Sequence, residues 1–207
     1  MADILKIMKI ISGKYKGRKF FMPKGIRPTQ DVVRKALFDL LGQDLTGLSF
    51  LDLFAGSGAM GLEAASRGAK EVVFVEKERF CFQTINENMI RLNIPVLDKD
   101  RTFFDMLQAD ALATIKDYAR RGRKFDIVFA DPPYGRELAK KTLITLKGHD
   151  ILHPDSIVVI QHTKHEILPE TEGRFFINEE RRYGATLLTF YKLSHNLPVR
   201  QGGTQVT

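Results

Sequence analysis

The chain has 207 residues, 43% of them apolar, a single cysteine and a formal net charge of +7. This is enough chain for one domain of ordinary size with a real core. It excludes an internal disulfide and a cysteine metal cluster, and no apolar run approaches the roughly 20 residues that a bilayer span needs. The N-terminus has no apolar segment leading to a small-residue cleavage site, so a cytoplasmic protein without metal is expected. The lone Cys81 sits in an amphipathic stretch and reads as a small packing residue.

The charge is unevenly placed. Residues 1–35 hold ten lysines and arginines against Asp3 and Asp31, an excess of eight, so the remaining residues are close to neutral. A neutral body behind a basic N-terminal segment fits a polyanion held by that segment; a merely solubilising surface would spread its charge along the chain.

In chain order, residues 1–7 read as a loose extension. Residues 8–12 and 18–22 read as two short strands around Gly13-Lys14-Tyr15-Lys16-Gly17, a hairpin with a basic tip. Thr29 is placed to cap a helix whose apolar stripe is Val32, Val33, Ala36, Leu37, Leu40 and Leu41, ended by Gly42. From Ser49 strand and helix patterns alternate, with strands at 49–54, 71–76, 102–108, 125–130 and 156–161 and helices at 58–67, 78–92, 110–121 and 136–147. Two further strand patterns, 175–183 and 185–192, meet at Gly184 as an antiparallel pair. This predicts an α/β fold with a seven-stranded, mostly parallel, doubly wound sheet, an antiparallel end and a small N-terminal hairpin. The divisions expected are 1–42 for the basic appendage, 43–193 for the main domain and 194–207 for a disordered tail. The basic run at 120–124 falls at the sheet edge away from a ligand crevice and reads as solvated surface.

The chain is organised around Leu51-Asp52-Leu53-Phe54-Ala55-Gly56-Ser57-Gly58-Ala59-Met60-Gly61. A strand entering a helix through a glycine turn offers unpaired N–H groups and close backbone approach to a polar cofactor. Gly56-x-Gly58-x-x-Gly61 also satisfies the dinucleotide fingerprint, with Glu76 ending the next strand. In open parallel sheets ligands bind beyond the carboxyl ends of the strands. Those ends carry Asp52, Glu76, Asp110 and Asp131-Pro132-Pro133-Tyr134. Glu76 can accept from both hydroxyls of a ribose. Asp110 is placed to accept from an adenine amine, or simply to cap a helix. Asp52 suits an ammonium-bearing ligand such as the methionine part of S-adenosylmethionine. The two prolines fix the backbone and withhold N–H donors. Asp131 and the Pro132 carbonyl can then accept from one NH₂ group while Tyr134 stacks on the base. Such a site aligns a poorly nucleophilic aromatic amine for in-line attack on a sulfonium methyl.

The glycine loop, Glu76 and Asp131-Pro132-Pro133-Tyr134 resemble class I S-adenosylmethionine-dependent methyltransferases of exocyclic amines. Ser12-Gly13-Lys14-Tyr15-Lys16-Gly17-Arg18-Lys19, Arg27-Pro28-Thr29-x-Asp31-x-Val33-Arg34, Leu51 to Gly58 and Tyr183-Gly184 narrow the likeness. Together they resemble the bacterial 16S rRNA guanine-N2 methyltransferase family acting on guanine 966, over about residues 8–193. The resemblance implies a Rossmann-like class I methyltransferase fold, S-adenosylmethionine as cofactor, and 16S rRNA in an assembling small subunit as partner of a monomer. It implies a cofactor site of Arg27, Thr29, Asp52, Phe54, Gly56, Ser57, Gly58, Gly61, Glu76, Lys77, Asp110, Ala111 and Asp131, with Arg27 to Thr29 closing over the cofactor. The amine site is Asp131, Pro132, Pro133 and Tyr134, and rRNA is held by Lys14, Lys16, Arg18, Lys19 and Arg34. Gln161 stands where the resemblance implies an acid in many relatives, and no role is assigned to it on that ground.

Three other readings compete. A DNA adenine-N6 methyltransferase uses the same four-residue motif, but the 73 residues after Tyr134 leave little for a duplex-reading domain. An NAD(P)-dependent oxidoreductase satisfies the glycine fingerprint but leaves Asp52 and Tyr134 unexplained. A non-catalytic RNA-binding module would not require the strand-end carboxylates.

Overall fold

The computed structural model describes residues 4–23, 25, 31–94, 103–135 and 137–194. Five parallel strands build the centre: β3 (Ser49–Leu53), β4 (Glu71–Glu76), β5 (Phe103–Gln108), β6 (Phe125–Ala130) and β7 (Leu152–Thr163). Three antiparallel strands extend it: β8 (Thr171–Glu172), β9 (Phe175–Tyr183) and β10 (Thr186–Leu193). Their order is β5-β4-β3-β6-β7-β10-β9-β8. The seven expected strands are present, and the two-residue β8, too short to leave a pattern, makes an eighth. Strand order reverses on either side of β3, the position where a doubly wound sheet opens a crevice at its carboxyl edge.

The central strands are nearly continuous apolar runs because both faces are covered. All five residues of β3 are buried, Asp52 included. One face packs on α1 (Asp31–Leu41), α2 (Ala59–Ser66) and α3 (Arg79–Leu92). The other packs on α4 (Ala111–Arg120) and α5 (Leu138–Lys147). The four sheet-connecting helices start and stop within two residues of expectation. The basic run after α4 lies at the amino edge of the sheet; Arg123 pairs with Glu71 and Lys124 with Asp150.

The N-terminal segment departs most from the reading. β1 (Ile4–Lys9) and β2 (Lys19–Pro23) form a separate two-stranded antiparallel sheet. The first strand therefore begins inside the segment expected to be loose. Thr29 lies outside the described residues. In α1 the buried face is Val33, Arg34, Leu37 and Phe38, while Val32 is 55% exposed. The stripe is thus rotated toward an arginine that a hydrophobic pattern skips. The core does not divide at residue 42, since Met8, Phe20, Met22 and Leu37 share one cluster with Phe50, Met60 and Phe74. Of the expected tail only Ser194 is described. Among the described residues no helix is long and apolar enough to cross a membrane.

Candidate active site

A cavity of about 600 Å³ opens at the carboxyl edge of β3, β4 and β6. The first wall is the glycine loop. Phe54, the residue after β3, has φ of 63°, a left-handed conformation that costs a non-glycine residue about 1–3 kcal/mol and concentrates at ligand sites. The turn lets Phe54, Ala55, Gly56 and Ser57 line the cavity. Gly58 and Gly61, both expected in the cofactor site, do not line it. Gly58 caps α2 from the left-handed region, at φ of 80°. Gly61 packs flat against the sheet, where an added Cβ would come within 2.2 Å of Phe74 Cε1. The third fingerprint glycine therefore serves helix–sheet contact, and only its N–H reaches inward, donating to Asp52 Oδ2 at 2.9 Å.

Asp52 is the deepest charge in the site, 1% exposed. Burial, foremost, pushes its carboxyl up to about 8; the Gly61 N–H opposes this, and the charges of Asp131 and Glu76 add to it. Glu76, 8% exposed, accepts the Gly56 N–H through Oε2 and the Glu78 N–H through Oε1, both at 2.7 Å. Each carboxylate oxygen keeps a lone pair for a further donor. Asp110 caps α4: its Oδ1 accepts the Leu112 and Ala113 N–H groups at 3.0 and 3.1 Å. Its Oδ2 lies 3.7 Å from Lys77 Nζ at the solvent-facing rim. The capping role weighed from sequence is thus present, and Asp110 also lines the cavity. Ala111 lines the same rim.

The opposite wall is Asp131, Pro132, Pro133 and Tyr134, all lining this one cavity. The parallel register Ala130↔Ile160 sets the next residue of each strand side by side. Gln161 Nε2 accordingly donates to Asp131 Oδ2 at 2.9 Å. Lys141 and Thr186 also reach the lining, from α5 and β10. Cys81 lines it too, buried, with burial pushing its thiol up to about 12, so it remains a neutral packing group. Among the described residues no group of three histidines, cysteines or carboxylates is placed to hold a metal.

Met22, Gly25 and Val33 close the cavity from the N-terminal side. Arg27 and Thr29, expected to fold over the cofactor, lie outside the described residues. Asn88, which no local pattern marked, ties this side down. It pairs with both backbone groups of Phe21, at 2.7 and 2.9 Å, and donates to the Ser57 carbonyl at 3.0 Å. One buried amide thereby joins β2, α3 and the glycine loop.

The hairpin loop runs away from the cavity. The Ile11 and Ser12 N–H groups donate to the two carboxylate oxygens of Glu63, each at 2.9 Å, and the Lys14 N–H donates to the Ser66 carbonyl at 2.7 Å. Glu63 and Ser66 lie in the latter half of α2, so the loop docks about 10 Å down the helix from its cavity end. Gly13 is required there, since an added Cβ would sit 1.8 Å from the Ser66 oxygen. The five cations expected to hold RNA are therefore not equivalent. Lys14, Lys16 and Lys19 are exposed. Arg18 is half-buried and donates to the Leu92 and Arg91 carbonyls at the end of α3, a favourable seat for a cation at a helix C-terminus. Arg34 is fully buried, bonded to the Lys9 carbonyl and Asp31 and 3.8 Å from Glu63. It holds the fold together and presents no charge to a partner. Lys9, which the sequence reading did not single out, stands opposite Lys19 on the exposed hairpin face, beside Phe21 with Arg91 stacked on it at 4.0 Å.

A parallel sheet reversing at β3, with a glycine turn, a strand-end acid on β4 and an antiparallel end, defines the class I methyltransferase fold. Comparison with known proteins narrows this. The family model described as Conserved hypothetical protein 95 matches residues 8–192. Ribosomal RNA small subunit methyltransferase D of Escherichia coli strain K12 is 30% identical over 190 residues, covering 89% of each chain. Its counterpart in Buchnera aphidicola subsp. Acyrthosiphon pisum is 36% identical over 157 residues, 75% of this chain and 78% of that one. A solved hypothetical protein of Thermus thermophilus superposes with a TM-score of 0.76 at 31% identity, covering 90% of this chain and 99% of that chain. The protein belongs to this family, that of the ribosomal RNA small subunit methyltransferase D proteins.

Proposed function

We propose that this protein transfers the methyl group of S-adenosylmethionine to the exocyclic N2 amine of a guanine in 16S rRNA, at a site of the guanine-966 type. The observation that carries this reading is the meeting of Asp131-Pro132-Pro133-Tyr134 with Asp52 and Glu76 across one cavity. Bound there, the cofactor supplies an electrophilic methyl on a cationic sulfur. The residues suit such a ligand. Asp52 faces an ammonium, Glu76 a ribose, and the lining carries carboxylates where a dinucleotide would need donors for its pyrophosphate. Gly56 N–H, the donor such a phosphate would use, is already given to Glu76. This, with the family, argues against the oxidoreductase reading.

On the substrate side, Asp131 and the Pro132 carbonyl accept from the amine, and the half-buried Tyr134 offers its ring to the base. Catalysis is mainly alignment of the nitrogen lone pair with the methyl carbon. Asp131 takes the proton that leaves as the new bond forms. The target base must be turned out of its stack to enter. Lys9, Lys14, Lys16 and Lys19 supply sequence-independent grip on flanking phosphates, at a distance from the reacting base. Relatives named for small-subunit rRNA favour rRNA over duplex DNA, and we assign the enzyme to cytoplasmic, assembling small subunits as a monomer.

The test is mass spectrometry of rRNA nucleosides from cells lacking this protein. Loss of N2-methylguanosine at one small-subunit position, restored by the wild-type gene, is expected. An unchanged N2-methylguanosine content, or methyl transfer to duplex DNA and not rRNA, would overturn the assignment.

A further inference from the structure

Gln161 is 5% exposed, lines the cavity beside Asp131, and its Oε1 is buried with no hydrogen-bond partner. The orientation of the amide is fixed by its neighbour. A carboxylate only accepts, so the NH₂ end must face Asp131, and the carbonyl end must turn elsewhere. A buried acceptor left without a donor is costly, and in a residue that lines a binding cavity a ligand can supply the missing partner.

We propose that Gln161 is the residue by which this site selects guanine, its Oε1 accepting the N1–H of the turned-out base. Adenine, cytosine and guanine all carry an exocyclic amine, so Asp131 and the Pro132 carbonyl alone do not tell them apart. The ring atom beside that amine on the Watson–Crick edge differs. It is a bare nitrogen acceptor in adenine and cytosine and an N–H donor in guanine. An acceptor adjoining the carboxylate that holds the amine matches guanine and sets lone pair against lone pair for the other two. The same side chain orients Asp131 through Nε2, so one amide both aims the carboxylate and reads the neighbouring atom.

The inference rests on the guanine-N2 reading above and deepens it. The test uses a small-subunit rRNA fragment carrying either guanine or 2-aminopurine at the methylated position. 2-Aminopurine keeps the N2 amine but has no N1–H. Single-turnover methylation is measured with saturating S-adenosylmethionine for wild type, Gln161→Ala and Gln161→Met; the last preserves volume without polar atoms. Wild type should prefer guanine by about a hundredfold, and both variants should reduce that ratio by about tenfold or more, mainly by slowing on guanine. Comparing ratios removes the effect of the missing O6, which is common to all three proteins. If the variants slow equally on both bases, leaving the ratio within about twofold of wild type, Gln161 serves only to support Asp131 and the proposal fails. If wild type methylates no guanine in the fragment, the underlying reading fails, an outcome distinct from an unchanged ratio.

Discussion

Two buried clusters of charge lie at opposite ends of α2, and they are built on opposite principles. At the lower end Glu63 meets Arg34 and Arg67, the two arginines among the described residues that are buried. Its carboxylate also accepts two backbone N–H groups from the hairpin loop. Opposite charges close upon one another there, with Arg34 Nε and Nη1 left without a hydrogen-bond partner. At the upper end Asp52 is buried with Asp131 and Glu76 as the charges acting on it, all of one sign. Burial without a counter-charge drives a carboxyl toward its neutral form, and the fold tolerates this where a cationic ligand restores the balance. The first cluster balances its charge within the fold and fastens the N-terminal unit to the sheet. The second lacks a counter-charge and is incomplete in that sense, and Asp52 and Gln161 both line one cavity.

The contrast can be broken from either end. The largest effect is expected from Asp131→Ala, which removes the proposed acceptor for the substrate amine. Methyl transfer should fall by about 10³-fold or more, while S-adenosylmethionine affinity by calorimetry stays within a few-fold. Next is Glu63→Ala in the closed cluster, which strands two buried guanidiniums. Denaturant unfolding should show a loss of about 3–5 kcal/mol, with faster hydrogen exchange at the Ile11 and Ser12 amides. Gly61→Ala sharpens the comparison between the two ends. Its new methyl group meets Phe74 without entering the cavity, so stability should drop by about 1–3 kcal/mol through overpacking. Cofactor affinity should change in step with any shift of the Asp52 contact.

The sequence exposed what depends on neighbours in the chain. Continuous apolar runs marked the central strands. Helices were bounded by their periodicity and by Gly42 and Asp110. The strand-end position of Asp131-Pro132-Pro133-Tyr134 followed from the alternation of elements. What stayed hidden depends on pairs far apart. Gln161 meets Asp131 across 30 residues, and Asn88 meets Phe21 across 67. Arg34, expected from the resemblance to hold rRNA, is buried against Glu63, which lies on another helix and leaves no local mark. The sequence shows the hairpin's basic tip and hides what it docks on for the same reason. Its anchors are the Glu63 carboxylate and the hydroxyl and carbonyl of Ser66, 51–52 residues away in the chain.

The incomplete cluster is tested most directly by the protons exchanged when S-adenosylmethionine binds. On the proposed pose, Asp52, neutral in the free protein below about pH 8, becomes ionised opposite the cofactor's ammonium, so the complex holds fewer protons. Affinity must then rise with pH, by up to about tenfold per unit between about pH 6 and 7.5. Calorimetry at about pH 7 in buffers of different ionisation enthalpy should show about one proton released per cofactor bound, and none for Asp52→Asn. Binding by the wild type without proton release, or with uptake, would contradict the account.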